Sequence, residues 1–419
     1  MKILWLSHLV PYPPKAGVLL RSHYLVKELS RYHQIDLLAF NQRSLIEPYF
    51  TSYDEGTKKA SQILKGFCKN VQFFDSPMDK GRYRKYSTAL YSLLTGTAYN
   101  INWLKDERYE SSIMDWHKNN KYDVIHADTI SLAPYIEQIK GPVLSLDHHN
   151  VESHMLLRRS TRENNLFKKF YFQQEAKKVK KLEERYCPKF HTNLTCSNLD
   201  SERFKTFIPK ARFQEIPNGV DIDTFKPSAE ECRSHDFIFI GTLDWYPNDR
   251  AVRYLAFKIW PLLKSSYPQA TINIIGSGAS KDLIDFSENE PGFNLLGFVD
   301  DLKPYLEKAT AYLCPIDDGG GTKLKLLDAF ASGKAVIAHK VACEGLNVKD
   351  EKQVLIANTP LEYMKQIDRI ISNRGLRVSL EQNAREHVEK QFSFRSIGKK
   401  LAEHFENLHL NEGILECVE

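Results

Sequence analysis

Short apolar runs alternate with segments of helical periodicity in the first half of the chain. Residues 19–32 place apolar side chains at the spacing of a helix, between two apolar runs. The runs apolar enough for parallel strands buried on both faces are residues 2–7, 35–40, 122–127, 142–146 and 191–196. Strand, loop, helix and strand in succession predict a doubly wound α/β domain.

The same alternation returns after residue 216 and predicts a second α/β domain. Its strand-like runs are residues 236–240, 270–275, 294–299, 312–316 and 335–338. We therefore predict an N-terminal domain over residues 1–208, a second domain over 213–395 and a terminal helix over 396–419. A chain of 419 residues with 42% hydrophobic content is large enough to bury two cores.

Charge and cysteine content narrow the class of protein. The net charge of +5 suits anionic small molecules or a membrane surface and is too weak to indicate nucleic acid. The seven cysteines are scattered without a CxxC pair, which favours a reducing cytoplasm over a zinc site or a disulfide framework.

Residues 153–189 have the periodicity of one or two long helices and are strongly basic. They carry eleven Lys and Arg against four Glu, a net charge of +7. Such a face can attract anionic lipid at ~1 kcal/mol per cation, and the alternative is a solvated helix face. No apolar run reaches the ~20 residues of a membrane span, and residues 1–14 fit a strand better than a signal peptide. We expect a cytoplasmic protein, at most peripheral at the inner face of the membrane.

A glycine-rich turn, GGGT at residues 319–322, lies between an apolar run and a helix predicted from residue 323. Helix N-termini present unpaired N–H groups and partial positive charge, which suit phosphate, and Lys323 adds a full charge there. Asp328, about a turn and a half along that helix, could accept hydrogen bonds from ribose hydroxyls. On spacing alone, a glycine-rich turn without a ligand is an equal alternative, because GGGTK matches neither the P-loop nor the dinucleotide fingerprint.

Polar residues follow two of the predicted strands of the first domain. His126 and Asp128 end one run, and Asp147, His148 and His149 end the next. The carboxyl ends of parallel strands form the ligand edge of such a sheet. These residues are therefore candidates for a binding site, although a histidine that caps a turn or helix is the alternative for each.

Three segments resemble the retaining glycosyltransferases of family four, which have the GT-B fold. They are GGGTKLKLLDAFASGKAVIAHKVACEGL at residues 319–346, IPNGVDIDTFKP at residues 216–227 and HNVES at residues 149–153. The first resembles the subgroup with GGGT(R/K)LK, and the matches lie in residues 1–40, 142–155 and 192–400. The resemblance implies two Rossmann-like doubly wound domains facing across a cleft, with residues 396–419 crossing back to the first.

The resemblance also implies a set of donor-binding residues. The diphosphate would meet the glycine-rich turn and Lys323, Asp328 would hold the ribose, and Gly17 would close over the phosphates. Three of these positions differ from many relatives. Thr242 stands where they have an arginine, and Gly320 stands where they have a glutamate. Gly17 is the first residue of their Gly-Gly pair, and the second is Val18 here. The full set is Gly17, Gly241, Thr242, Phe298, Val299, Gly320, Gly321, Thr322, Lys323 and Asp328.

A histidine at the end of the strand at residues 142–146 approaches the donor sugar in relatives. The HNVES motif puts His149 in that role, whereas counting from the preceding strand would put His148 there. We prefer His149 and keep His148. Arg21 falls where relatives often carry arginine, and a solvated helix charge is at least as good an interpretation.

The function implied is transfer of a hexosyl-type sugar, with retention, from a nucleotide diphosphate sugar to a carbohydrate or lipid-linked acceptor, in cell-envelope polysaccharide or glycoconjugate assembly. No cofactor is expected beyond the donor. No metal site is expected, because Asp317 and Asp318 are adjacent and fit a turn better than a DxD motif. The alternatives are a non-catalytic GT-B subunit that binds nucleotide or glycan and supports a partner transferase, and a GT-B relative that catalyses epimerisation or phosphorolysis.

Overall fold

The computed structural model describes residues 1–15, 17–81, 83–163, 165–227, 235–318 and 323–416. The chain forms two compact units, each built on a parallel sheet. The first unit contains Met1–Pro217 and Ile397–Glu419, and the second contains Asn218–Ser396. The predicted pair of Rossmann-like α/β domains is confirmed.

The first sheet has seven parallel strands in the order β3-β2-β1-β4-β5-β6-β7. Alternate residues of its central strand enter different cores: Ile3 and Trp5 pack in one cluster, Leu4 and Leu6 in another. Burial on both faces explains why this strand reads as a continuous apolar run. The strands are β1 Lys2–Ser7, β2 Gln34–Asn41, β3 Asn70–Asp75, β4 Val124–Ala127, β5 Val143–His148, β6 Thr192–Thr195 and β7 Phe213–Glu215.

The second sheet has six parallel strands in the order β10-β9-β8-β11-β12-β13. One core cluster, which includes Phe237, Phe239, Tyr312 and Phe330, extends through this unit. The strand order reverses between β8 and β11, and ligands bind parallel sheets at such a switch point. The strands are β8 Asp236–Ile240, β9 Thr271–Ile275, β10 Phe293–Gly297, β11 Ala311–Cys314, β12 Ala335–Ala338 and β13 Leu355–Ile356.

The described residues also form eighteen α-helices. Those before residue 218 are α1 Gly17–Leu29, α2 Arg43–Ile46, α3 Tyr53–Leu64, α4 Arg84–Leu94, α5 Tyr99–Asn102, α6 Glu107–Asn120, α7 Ala133–Ile136, α8 Glu152–Arg162, α9 Leu166–Tyr186 and α10 Asn198–Lys205. The remaining ones are α11 Tyr246–Tyr254, α12 Trp260–Ser266, α13 Lys281–Asn289, α14 Lys303–Lys308, α15 Leu324–Ala331, α16 Pro360–Ser372, α17 Arg374–Gln391 and α18 Phe394–Glu416. No helix in these ranges is both long and apolar enough to cross a bilayer.

The boundary of the first domain lies later than predicted. Residues 191–196 were expected to be its last strand, but β7 pairs with β6 and extends the sheet by one strand. The sequence therefore placed Phe213 and the four residues after it in the wrong domain. All three residues of β7 are only half-buried, so this edge strand lacks the apolar run that marks the central ones.

The last helix, α18, belongs to the first unit from Ile397 onward. Ile397, Leu401 and Phe405 lie in the same core cluster as Leu25 and Leu29 of α1. A Cβ at position 398 would overlap the side chain of Glu28, so glycine there allows α18 to approach α1 closely.

Candidate functional site

At the carboxyl edge of the second sheet, two loops approach each other through their backbones. Gly241 follows β8, and Gly276 follows β9. A Cβ at Gly276 would overlap the carbonyl of Gly241, and its φ of +152° is one that other residues rarely adopt. The GSG at residues 276–278, which lacks the complete dinucleotide fingerprint, therefore packs tightly against the loop after β8.

Lys325, on the first turn of α15, lies under the loop that follows β8. Its Nζ donates to Oδ1 of Asn248 at 2.6 Å and lies 4.7 Å from the ring centroid of Phe239. A Cβ at Gly241 would overlap that Nζ, so the glycine makes room for an ammonium group. Burial lowers the pKa of Lys325 to about 8, which leaves the group largely charged at neutral pH.

Asp328 lies three residues beyond Lys325, on the same face of α15. Burial raises the pKa of Asp328 to about 7, and the charge of Lys325 opposes that rise. Among the described residues, no side-chain or backbone group donates a hydrogen bond to this carboxylate. Its oxygens can therefore accept from a ligand, and the assignment of that ligand as a ribose stays a prediction.

The other predicted donor residues of the second unit differ in exposure. Phe298, just after β10, is 75% exposed, whereas Val299 packs partly against the core. Thr242 is exposed, and its carbonyl accepts from Nδ2 of Asn248 at 2.7 Å. Lys323 is half-buried directly before α15. Gly320, Gly321 and Thr322 lie outside the described residues.

Two basic residues at this edge of the sheet were not predicted as site residues. Lys325 is one of them, because in the sequence it resembles an ordinary exposed charge on a helix, between two leucines. Arg250 of α11 is the other, and its guanidinium donates to Asp317 at 2.7 Å, at the start of the glycine-rich turn. The spacing of Lys325 and Asp328 at i and i+3 was a signal that could have placed both on one face of the helix.

In the first unit, Arg21 of α1 and Asp147 of β5 form a buried bidentate ion pair. Nε and NH2 of Arg21 lie 2.9 and 3.1 Å from the two carboxylate oxygens, and NH1 donates to the carbonyl of Pro217 at 3.0 Å. Their side chains are 2% and 1% exposed. The interpretation of Arg21 as a solvated charge is therefore wrong. The Arg21 charge holds the pKa of Asp147 below its usual range despite burial.

His148 and His149, the two candidates, point into different surroundings. Nε2 of His148 lies 3.1 Å from Oδ1 of Asn193 and 3.6 Å from Sγ of Cys187, in the interior. His149 lies beside His8, with their ring centroids 5.7 Å apart. Nε2 of His149 is buried without a hydrogen-bond partner among the described residues, and burial lowers its pKa to about 4. The geometry makes His149 the better of the two for a ligand contact.

His8 and Asp128 directly follow the neighbouring strands β1 and β4, and no motif in the sequence links the two residues. Nδ1 of His8 lies 2.8 Å from Oδ1 of Asp128. The position of His8 directly after a predicted central strand was a signal for the ligand edge. Gly17, in the same unit, is the exposed first residue of α1.

A metal-like spacing occurs in this group, which the sequence did not indicate. One ligand atom from each of His8, Asp128 and His149 lies within 4.8 Å of the others. The residues come from three strand ends, so no local motif marks them. Nδ1 of His8 and Oδ1 of Asp128 lie 2.8 Å apart, which is the distance of a direct hydrogen bond between the two side chains. We interpret the cluster as a hydrogen-bonded pair beside a neutral histidine.

Comparison with known proteins gives one family match and several distant relatives. The family described as "Glycosyl transferases group 1" matches residues 234–373. An uncharacterized 44.6 kDa protein in the cps region of Klebsiella pneumoniae is 22% identical over 412 residues, covering 94% of this chain and 97% of the relative. A GDP-mannose-dependent monoacylated alpha-(1-6)-phosphatidylinositol monomannoside mannosyltransferase of Corynebacterium glutamicum is 24% identical over 220 residues, covering 48% of this chain and 58% of that protein.

Among solved structures, HepE of Anabaena in complex with UDP-glucose is similar over the whole chain. It is 16% identical with a TM-score of 0.62, and the match covers 97% of this chain and 100% of that one. Likenesses of this kind show that the fold is GT-B. The fold and the family match together support a glycosyltransferase that uses a nucleotide-sugar donor.

Proposed function

We propose that this protein transfers a hexosyl-type sugar from a nucleotide diphosphate sugar to a carbohydrate or lipid-linked acceptor, with retention of anomeric configuration. The observation that carries the proposal is the placement of Lys325 and Asp328 on one face of α15, at the carboxyl edge of the second sheet. A buried cation suits a diphosphate, and a carboxylate that lacks a donor among the described residues suits ribose hydroxyls. Both lie inside the segment that matches the glycosyltransferase family.

To catalyse this reaction, the protein must stabilise the negative charge of the departing diphosphate while positive charge develops on the sugar. A pre-oriented ammonium group in a site of low dielectric constant supplies that stabilisation without reorganisation. In this proposal Lys325 acts with Lys323 and the glycine-rich turn on the diphosphate, Phe298 stacks against the base, and His149 contacts the sugar. The reaction then needs no metal and no cofactor beyond the donor.

The names of the relatives guide the choice of donor and setting. One relative is GDP-mannose-dependent, and one structural neighbour binds UDP-glucose, so uridine and guanosine donors are the first to test. Another neighbour is a lipopolysaccharide outer core galactosyltransferase. We accordingly place the reaction in cell-envelope polysaccharide or glycoconjugate assembly, at the cytoplasmic side of the membrane. Retention rests on the resemblance of residues 319–346 to family four.

A thermal-shift panel of nucleoside diphosphates and their sugars tests the donor half of the proposal. We expect nucleotides of one base to raise the melting temperature, because a ligand at a hundredfold excess over its Kd stabilises the folded state by about 2.7 kcal/mol. We expect EDTA to leave this shift unchanged. The matching sugar donor is then incubated with p-nitrophenyl glycosides, and NMR of the product reports whether its anomeric configuration is retained. Nucleotide binding without any transfer would favour the non-catalytic subunit instead.

We also propose that the first unit contacts anionic membrane through an apolar and basic surface on α4, α8 and α9. The sequence suggested only residues 153–189, but α4 adjoins this hairpin, and Nζ of Lys178 donates to the carbonyl of Ser92. Exposed basic side chains, among them Arg84, Lys85 and Lys168, lie among apolar ones. The apolar side chains, each more than half exposed, are Tyr86, Leu90, Tyr91, Leu94, Leu166, Phe167 and Phe170.

Replacement of Phe167 by Asp should weaken binding to vesicles of phosphatidylglycerol and phosphatidylcholine by about tenfold or more. Burying a Phe side chain in the interface is worth about 1.5–3 kcal/mol, and the new charge repels the lipid. Cosedimentation measures the effect, with Leu361→Asp as the matched control because Leu361 is 74% exposed on α16. Equal binding of the wild type to purely zwitterionic vesicles, or no loss in Phe167→Asp, would contradict this surface.

A further inference from the structure

We infer that the second unit binds a hexose phosphate in a cavity between α11 and α16, close to the carboxyl ends of β11, β12 and β13. The cavity has a volume of about 310 Å³, and none of the predicted donor-binding residues lines it. This site is additional to the proposed transferase function and does not depend on it, because only binding is concerned.

One wall of the cavity is aromatic. Phe257 and Lys258, which both line it, belong to a π-helical turn over Leu255–Ile259, between α11 and α12. Pro261 explains this wider turn, because it cannot donate to the carbonyl of Phe257 four residues before it. Such turns are frequent at functional sites. Together with Tyr254, Phe257 provides a surface on which the apolar face of a sugar ring can pack.

The same cavity has one cation that no acid neutralises. Three Lys and Arg side chains line it. Arg250 donates to Asp317 at 2.7 Å, and two carboxylates, one on α11 and one on α13, pair with Arg253. Lys258 forms no ion pair or hydrogen bond with the described residues. Its ammonium group therefore leaves a positive charge in the wall, which suits a phosphate.

Two hydrogen-bond donors with no acceptor in the described residues also line the cavity. Nδ1 of His339 accepts from the backbone N–H of Val341 at 3.2 Å, so the neutral ring carries its proton on Nε2. Burial lowers the pKa of His339, which favours this neutral form. Oδ1 of Asn358 accepts from the backbone N–H of Lys340 at 3.3 Å, which leaves its amide N–H groups to donate. Both side chains can thus bond sugar hydroxyls.

A buried hydroxyl in the wall has no partner. Tyr363 of α16 is 0% exposed and lines the cavity, with its ring edge-on to that of Tyr254 at a centroid distance of 6.3 Å. Its hydroxyl makes no hydrogen bond with the described residues. Buried hydroxyls nearly always have a partner, so this group is a contact point for a polar ligand.

The size and chemistry of the cavity favour a sugar phosphate over a whole nucleotide sugar. Small-molecule sites range over about 300–1,000 Å³, and this cavity lies at the lower end, which suits one ring with one phosphate. The ring would pack on Tyr254 and Phe257, and the phosphate would meet Lys258. Inorganic phosphate would leave the aromatic side chains without a contact, and a neutral sugar would leave the ammonium group without a counter-charge.

Isothermal titration calorimetry on the full chain is the first test. The probes are glucose 6-phosphate, mannose 6-phosphate and galactose 1-phosphate, and the comparisons are glucose and inorganic phosphate. We expect at least one hexose phosphate to bind about tenfold or more tightly than either comparison, because each of those lacks the contacts of half the ligand. The inference is wrong if no hexose phosphate binds at millimolar concentration, or if inorganic phosphate or glucose binds equally well.

A variant of the cavity then locates the bound hexose phosphate. Lys258→Met should weaken its binding by about tenfold or more, since a hydrogen bond to a charged group is worth that much. Lys308→Met is the matched control, because Lys308 is exposed on α14 and does not line the cavity. Lys325→Met, at the proposed donor site, should also bind like the wild type. A loss in Lys325→Met and none in Lys258→Met would place the sugar phosphate at the donor site, which overturns this inference and leaves the transferase function intact.

Tyr363→Phe tests the role of the unpaired hydroxyl. We expect hexose phosphate binding to weaken by about 2- to 10-fold, the worth of one neutral hydrogen bond. The free energy of unfolding without ligand should not fall, because the hydroxyl has no partner to lose. Lower stability with unchanged affinity would show that the hydroxyl serves the core of the unit, and would contradict its contact with the ligand.

Discussion

Replacement of Lys325 by Met should weaken binding of the nucleoside diphosphate by about 10²-fold and lower kcat/KM by about 10²–10³-fold. Removing one pre-oriented charge from a leaving-group site costs about this much. The substitution keeps the length and apolar character of the side chain while it removes the ammonium group under Gly241.

The same substitution should leave the free energy of unfolding nearly unchanged. The pKa of Lys325 is lowered by burial, so charging this group costs folding energy that Met does not, and this saving offsets the hydrogen bond that Oδ1 of Asn248 loses. Asp328 also tolerates the change, because loss of the neighbouring cation raises its pKa further and the neutral acid is then buried at little cost. The substitution should therefore weaken nucleotide binding without lowering stability. A lysine with only a structural role would show the opposite result.

Isothermal titration calorimetry with the diphosphate identified in the thermal-shift panel measures the loss of affinity, and chemical unfolding measures stability. Lys365→Met is the matched control, because Lys365 is exposed on α16 of the same unit. If Lys325→Met binds the diphosphate like this control, the donor site lies elsewhere. If it instead loses stability in proportion to affinity, Lys325 is a packing residue.

Replacement of Arg21 by Met should destabilise the first unit by about 3–5 kcal/mol. The substitution leaves the Asp147 carboxylate buried and unpaired, and removing one partner of a buried ion pair costs that much. The carbonyl of Pro217 also loses its donor. The loss should grow as pH rises through the range where Asp147 ionises, because the lone carboxylate can escape the cost only by binding a proton.

Denaturant unfolding monitored by a probe in the first unit measures this effect, and Lys27→Met on the same helix is the control. Lys27 is exposed on α1, so its replacement should cost less than about 1 kcal/mol. The double variant Arg21→Met with Asp147→Leu should recover most of the stability, since an apolar pair of similar volume can replace a buried ion pair. A single-variant loss no larger than that of Lys27→Met would contradict the buried pair.

The parts of the fold that the sequence predicted well are those with both faces buried. Central strands such as β1 and β11 appear as apolar runs, because all their side chains except that of Lys2 are buried. The edge strands β3 and β7 were missed, since their exposed or half-buried residues, such as Asn70 and Gln214, break that pattern. Edge strands carry little periodic signal, so the position of the domain boundary could not be read from composition.

The candidate site was predicted unevenly for a related reason. Adjacent residues at a strand end point to opposite sides, so a displacement of one residue decides between His148 and His149. The motif at residues 149–153 favoured His149, and the packing of His148 against Asn193 supports that choice. In contrast, the contacts of His8 with Asp128 and of Lys325 with Asn248 join residues 120 and 77 positions apart. No local pattern could have paired them.

The return of α18 to the first core has a consequence for synthesis on the ribosome. The second unit is a continuous insertion whose ends are tied together where Val220 pairs with Ser393, so it can complete its core as soon as it emerges. The first unit cannot, because Ile397, Leu401 and Phe405 are made only after the whole of the second unit. The usual order, in which the N-terminal domain folds first, is thus reversed for its final packing step. In a nascent chain that is truncated before residue 397, the second unit would therefore be folded while the core of the first unit is still incomplete.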